Sequence, residues 1–208
     1  MVTVGGRHTM TDAPVALKAH KWPRDPNDWY VEPAWCSARL FDVEKFGPVI
    51  YDPACGIGTI VMSAKVAGMR ARGSDYIARW SSQQDHVYWR RDFLEPALVD
   101  KDDACIVSNP PFKCARRFVE RALETAAPKI AFLLPLSWLT GATRSKWLQT
   151  TPLAHVWVLT PRPSMPPGTQ SVIFEEPVGG GEVDFAWFVW RRDHAGPPTL
   201  GWLDRDGP

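Results

Sequence analysis

The sequence predicts an α/β domain with a mostly parallel sheet and helices on both faces. Three observations carry that expectation. Short apolar runs alternate with segments of helical length and period over most of the 208 residues. Successive apolar runs end in Asp52, Asp75, Asp92 and Asn109, as strands do when they deliver polar groups to one edge of a sheet. A tight glycine turn, Gly56-Ile57-Gly58, stands directly between the first such run and the helix that follows it.

Taken in order, residues 1–20 have weak periodicity and are expected to form a flexible leader. Residues 22–33 are rich in aromatic residues, proline and aspartate and read as an ordered irregular segment packed over something. Residues 34–46 suit a short helix with Trp35, Leu40 and Phe46 inward. Residues 49–52 form a short buried strand, 53–58 a tight loop, 59–68 a helix ended at glycine, and 69–75 a second strand. A helix over 77–84 and a short strand over 87–91 follow. Residues 104–108 form a strand that the two prolines at 110 and 111 stop. Residues 115–125 form a helix, 129–134 a strand, 143–148 a helix and 153–159 a strand. The proline-rich loop 161–170 is expected near the site, and 171–174 to pair with the sheet. The run Gly179-Gly180-Gly181-Glu182 marks a turn, and 183–190 the last strand. The domain is thus expected over 21–192, with a tail over 193–208, no internal repeat and no second domain.

Composition narrows the class of protein. No run approaches 18 apolar residues, so no transmembrane helix is expected, and the first residues lack an apolar core of signal-peptide length. A cytoplasmic location without membrane attachment follows as the expectation. The four cysteines show no CxxC spacing, and no metal site is expected. Cys55 and Cys105 read as small fillers of tight space. The net charge of +1 argues against a large nonspecific DNA-binding surface. Arg90, Arg91, Lys113, Arg116, Arg117, Arg121, Arg144 and Lys146 nonetheless surround the suspected site, where a local face can meet phosphates or simply be solvated. Most of the 11 tryptophans belong to core or lid packing, with one or two able to stack on a base.

Small residues at 56 and 58 let a nucleoside approach the backbone, and the helix N–H groups behind them face it. Asp75 ends the next strand at the distance where an acidic residue grips ribose hydroxyls, and Asp92 ends the one after. The dinucleotide pattern GxGxxG is incomplete, because position 61 is valine. A nucleoside-type ligand is therefore preferred to a pyrophosphate.

These residues resemble a family. Asp52-Pro53-Ala54-Cys55-Gly56-Ile57-Gly58-Thr59 is similar to the first motif of the amino-methyltransferases of DNA, and Asn109-Pro110-Pro111-Phe112 to their catalytic motif. The order of the two resembles the adenine-N6 enzymes, including small phage and prophage members, over residues 29–192. The resemblance implies a single Rossmann-like methyltransferase domain using S-adenosylmethionine. It implies that Tyr30 and Pro33 close over the methionine part of the cofactor, that Asp52, Ala54 and Gly56 line its methionine and ribose side, and that Asp75 binds the ribose. Tyr76 or Ile77 would flank the cofactor adenine, Asp92 and Phe93 would hold it, and Phe185 or Trp187 would help hold a flipped target base.

The implied chemistry is transfer to the N6 amino group of adenine in DNA. That nitrogen is a poor nucleophile, because its lone pair is delocalised into the ring. The Asn109 side-chain carbonyl and the Pro110 carbonyl would accept its hydrogens and direct the lone pair at the methyl group, while Phe112 stacks on a base taken out of the helix. RNA adenine, cytosine N4 and a protein glutamine amide offer the same planar amino group and stand as alternative acceptors. A non-catalytic nucleic-acid-binding subunit is the reading of another class; its expected mark, a damaged motif, is absent from both segments. No separate recognition domain interrupts the chain, so 136–147 and 161–170 are the segments available to read sequence, unless a dimer or a recognition subunit does so.

Overall fold

The computed structural model describes residues 25–79, 88–95, 103–168 and 181–207. Its elements are α1 (Ala34–Val43), β1 (Val49–Asp52), α2 (Thr59–Val66), β2 (Arg70–Asp75), β3 (Tyr88–Arg90), β4 (Cys105–Ser108), α3 (Ala115–Glu124), β5 (Lys129–Pro135), α4 (Ala142–Leu148), β6 (Leu153–Thr160), β7 (Phe185–Arg191) and β8 (Thr199–Asp204). The strands form one sheet in the order β3-β2-β1-β4-β5-β7-β6-β8. Strands β3, β2, β1, β4 and β5 run parallel, β7 is antiparallel to both its neighbours, and β8 is parallel to β6. The mostly parallel α/β sheet expected from the sequence is the one observed.

The central strands are buried on both faces, and β4, β5 and β7 read accordingly as near-continuous apolar runs. Along β7, Ala186, Phe188 and Trp190 join Ile130, Phe132 and Leu134 of β5 beneath α3 and α4. Phe185, Trp187 and Val189 turn to the other face, with Ala131 and Leu133, beneath α1 and α2. Burying one side chain of this size stabilises the fold by about 1.5–3 kcal/mol, so these two central strands anchor the domain. Helix α3 shows why its sequence is helical: Ala115, Phe118, Val119 and Ala122 face the core at 3.6-residue spacing, while Arg116, Arg117, Glu120 and Glu124 point away.

The chain enters the sheet at β1, moves outward through β2 to β3, then returns to lay β4 beside β1. The carboxyl ends of β1 and β4 therefore flank the topological switch point, where sheets of this kind bind ligands. Asp52 ends β1 and Ser108 ends β4, and the Ser108 hydroxyl donates to Asp52 Oδ1 at 2.6 Å across that crevice.

Several expectations change. Residues 199–204 are not tail: they form β8, paired with β6 from His155↔Thr199 to Thr160↔Asp204, with Leu203 in the core. The turn 192–198 hid the strand, because Gly196, Pro197 and Pro198 read as a break instead of a connection. Helix α1 stops at Val43, so Phe46 packs from a loop, edge-on to Phe41. Residues 77–79 are irregular, and the remainder of the expected 77–84 helix lies outside the described residues, as do the 1–20 leader and the 171–174 pairing. Among the described residues, no helix is long and apolar enough to cross a membrane.

Candidate active site

A cavity of about 320 Å³ opens at the switch point, within the range of small-molecule sites. One wall is the loop after β1. Asp52 Oδ1 accepts the Ala54 N–H at 3.1 Å, which turns the chain sharply after the strand. Asp75, at the end of β2, accepts the Gly56 N–H at 2.9 Å, the Ile77 N–H at 3.0 Å and Arg79 Nη1 at 2.6 Å. Three of the roughly four lone-pair positions of that carboxylate are thus engaged. Gly56 has φ +54°, and a Cβ there would stand 2.9 Å from Trp29 Nε1. Gly58 has φ +92°, which starts α2 from a conformation that other residues rarely adopt.

The opposite wall comes from residues 25–33, folded over the ends of the strands. The Asp28 carboxylate accepts the Lys113 N–H at 2.8 Å, which ties this segment to the turn after β4. The Trp29 ring lies under the Arg79 guanidinium, 4.5 Å from centroid to carbon. The proline-rich loop holds the segment from outside: the Val31 N–H donates to the Pro166 carbonyl at 3.1 Å, and the Gly168 N–H to the Trp29 carbonyl at 2.9 Å. The loop 161–168 therefore does lie beside the site.

Asn109 closes the cavity at the end of β4. Its Nδ2 donates to the Tyr30 carbonyl at 2.9 Å and to Glu32 Oε2 at 2.8 Å. A backbone carbonyl cannot donate, and an ionised carboxylate cannot either. The chemistry of the two partners thus fixes which end of the amide is NH2. Among the described residues, no hydrogen bond occupies Asn109 Oδ1, and Asn109 lines the cavity.

Carboxyl groups of Asp28, Glu32, Asp52, Asp75 and Asp92 line the cavity beside Arg79, Arg91 and Lys113. Burial pushes the Glu32 carboxyl up to about 7, against the opposing pull of the Asn109 hydrogen bond. Burial also raises the Asp52 carboxyl well above its ordinary range; the Ser108 hydroxyl offsets part of this, and the neighbouring charges of Glu32 and Asp75 add to it. The Cys55 thiol is pushed far up by burial and by the Asp52 charge, so it stays protonated and is no nucleophile. Arg79 is the cation paired with Asp75 in this cluster. Such a site favours a ligand that brings positive charge with it.

Of the residues expected to hold a cofactor, Tyr30, Asp52, Ala54, Gly56, Asp75, Tyr76, Asp92 and Phe93 all line the cavity. Pro33 does not; it precedes the first turn of α1. Of the four residues expected at the acceptor end, Asn109 and Pro111 line the cavity, while Pro110 and Phe112 stand behind it. Phe112 stacks on Tyr30 at 6.0 Å between centroids and leans on Phe185 at 5.6 Å. That contact separates the two late aromatics. Phe185 touches the motif, whereas Trp187 is wholly buried and spends its indole N–H on the Cys36 carbonyl at 2.8 Å. Sequence reasoning missed Trp29, Glu32, Arg79 and Ser108. Glu32 sits between Tyr30 and Pro33 in a segment read as packed over something, which was the available signal.

No family model matches the sequence. No curated protein matches it either. The fold is nonetheless shared with solved structures. The M protein of the type I restriction enzyme EcoKI superimposes with a TM-score of 0.54 at 14% identity, over 86% of this chain and 49% of that one. A modification subunit assigned to a type I restriction enzyme in Vibrio vulnificus YJ016 gives 0.50 at 15% identity, over 82% and 45%. The 23S rRNA methyltransferase ErmE gives 0.50 at 14% identity, over 76% and 68%. The chain spans about half the length of the two restriction-enzyme subunits it matches. What the chain shares with these structures is the fold, a Rossmann-like, mostly parallel sheet with helices on both faces.

Proposed function

We propose that this chain transfers a methyl group from S-adenosylmethionine to an exocyclic amino nitrogen, and that its acceptor is N6 of adenine in DNA. The observation that carries the reading is the Asn109 amide, whose NH2 is committed to Tyr30 and Glu32 so that Oδ1 is the atom presented at the site. A carbonyl oxygen at that point suits an acceptor that brings hydrogen-bond donors, as an amino group does.

The residues of the other wall fit the cofactor. The glycine turn leaves room for a nucleoside against backbone, Asp75 keeps a lone pair for a ribose hydroxyl, and the acidic lining suits a sulfonium and an ammonium group. When bound, S-adenosylmethionine supplies an electrophilic methyl group. The chain's own part is orientation. Asn109 Oδ1 accepts a hydrogen of the amino group, which draws electron density onto the nitrogen and aims its lone pair, and the cavity walls exclude water. The acceptor nitrogen would gain the methyl group as its carbon–sulfur bond breaks and a neutral thioether leaves, and would then release one proton.

A nucleic-acid acceptor is supported by the rim. Lys113, in the turn before α3, lines the cavity, and Arg116 and Arg117 follow on the outward side of α3, where Arg116 pairs with Glu120 and lies over Trp147 of α4 at 4.9 Å. Arg144 of α4 lies over Trp138 at 5.0 Å, and its guanidinium donates to the Ser137 and Trp138 carbonyls. Cations that continue from the cavity lining at Lys113 along α3 suit a phosphate backbone. The likeness to the restriction-enzyme subunits favours DNA among the nucleic acids. Incubation with labelled S-adenosylmethionine and unmethylated duplex DNA, followed by nucleoside mass analysis, should yield N6-methyladenine. Label in RNA adenine, cytosine N4 or a protein glutamine, with none in DNA adenine, would reassign the acceptor. No transfer to any of them would leave the non-catalytic binding subunit as the better reading.

A further inference from the structure

We propose that Glu32 is the positioning residue of the acceptor end: with the Tyr30 carbonyl it holds the Asn109 amide so that Oδ1 faces the amino group to be methylated. The inference rests on the amino-methyl-transfer reading and adds to it a residue outside both recognised motifs.

An asparagine amide presents nearly the same shape in two orientations half a turn apart, and only one offers the carbonyl to an incoming amino group. With Nδ2 toward Glu32 and Tyr30, both of its hydrogens find acceptors, at 2.8 and 2.9 Å. Turned over, Oδ1 would face two acceptors, and the NH2 group would confront the donors of the substrate. Tyr30 contributes a main-chain carbonyl, which no side-chain chemistry can alter. Glu32 is the half of the clamp that depends on a side chain, and it is buried and aimed inward, with the cavity on its other side.

The clamp also responds to pH. Facing Glu32 are the Asn109 amide from the turn after β4, Asp52 from β1 and the Cys36 thiol from α1. Asp52 in turn faces Asp75, whose charge Arg79 offsets. Burial holds the Glu32 carboxyl near 7. Once protonated, Glu32 can itself donate, and the turned-over amide gains a partner it lacks when Glu32 is ionised. The Tyr30 carbonyl favours the correct orientation at any pH, but both halves of the clamp enforce it only once Glu32 is ionised, and turnover should rise as it ionises.

The test measures kcat and KM for DNA across pH for the intact chain, Glu32→Gln and Glu32→Ala, with cofactor affinity measured alongside. The intact protein should show a kcat limb with its midpoint near 7. Glu32→Gln does not titrate and, like the protonated carboxyl, can both accept from Nδ2 and donate; it should lose the limb and hold kcat near the intact chain's low-pH level throughout. Glu32→Ala should lower kcat by about 10- to 100-fold, the worth of a hydrogen bond to a charged group, with cofactor affinity within about twofold. A limb that survives in Glu32→Gln, or a Glu32→Ala kcat equal to that of the intact chain, overturns the proposal. A carboxyl carbon NMR titration of Glu32 decides the clamp without any acceptor. Asn109→Ala should move the Glu32 midpoint up, because the amide hydrogen bond holds it down. An unmoved midpoint overturns the proposal even if the chain methylates DNA. Absence of transfer to any acceptor, with the midpoint moved, would instead overturn the methyl-transfer reading.

Discussion

The loop after β1 and the turn after β4 meet across one crevice but are held in different ways. After β1 the contacts are short in sequence: Ala54 binds back to Asp52 two residues away, and Gly56 to Asp75 nineteen residues on. After β4 they are long. Asn109 is fixed by Tyr30 and Glu32, 79 and 77 residues earlier, and Lys113 by Asp28, 85 residues earlier. The segment 25–33 that supplies these groups is itself pinned by the 161–168 loop, through Val31 and Gly168. The glycine turn and Asp75 of the proposed cofactor wall therefore come from one βαβ unit, to which Asp92 and Phe93 add from beyond β3, whereas the proposed acceptor wall needs three distant stretches of chain in place together. Changes at the first should affect cofactor binding, and changes at the second should affect transfer.

The largest expected effect that sharpens this contrast is Asn109→Ala. It should reduce the single-turnover rate of transfer by about a thousandfold, the usual scale for removing a preorganised electrostatic partner. Rapid-quench measurement at saturating cofactor checks it. A rate within tenfold of the intact chain's would break the assignment of the β4 turn to the acceptor.

The next effect is on stability against pH. Glu32 has its carboxyl raised from 4.5 to about 7 in the folded chain, so the folded state binds more protons than the unfolded state in that window. Stability is greatest below about 4.5 for this group, falls as pH rises toward 7, and is flat above, a loss on the order of 3 kcal/mol. Asp52 is displaced in the same direction and adds a slope of the same sign. Denaturant titrations at several pH values should show a shallower decline in Glu32→Gln. An unchanged slope would mean that the acceptor wall does not hold its carboxylate in the folded state as described.

The smallest effect concerns the rim. Lys113→Gln and Arg117→Gln should each raise KM for DNA by about fivefold at moderate salt and reduce the salt slope of binding by about one. Cofactor affinity should not move. Equal losses for DNA and cofactor would contradict the separation of the two walls.

The same contrast explains what could be read from the sequence. The strands β1, β2, β4 and β5, the glycine turn, Asp75 and the double-proline turn all follow from local patterns: a strand end, a φ that favours glycine, a proline that cannot continue a ladder. The roles of Glu32 and Trp29 do not. Glu32 has no partner within its own segment, and the meaning of Gly56 is complete only once Trp29 is seen against it. Phe185 and Trp187 are two residues apart on one face of β7 and look alike in sequence. Only the packing shows that one touches Phe112 while the other binds the Cys36 carbonyl. Strand β8 was missed for a related reason, because pairing with β6 makes it a strand while its own residues leave Leu200 and Trp202 exposed.

The separation of the two walls is tested most directly by calorimetric titration of S-adenosylmethionine into the intact chain, Asp75→Ala and Asn109→Ala. Asp75→Ala removes the acceptor that holds Gly56, Ile77 and Arg79 and should weaken binding by about a hundredfold, while Asn109→Ala should bind within about twofold of the intact chain. Comparable loss of binding in both variants would contradict the account.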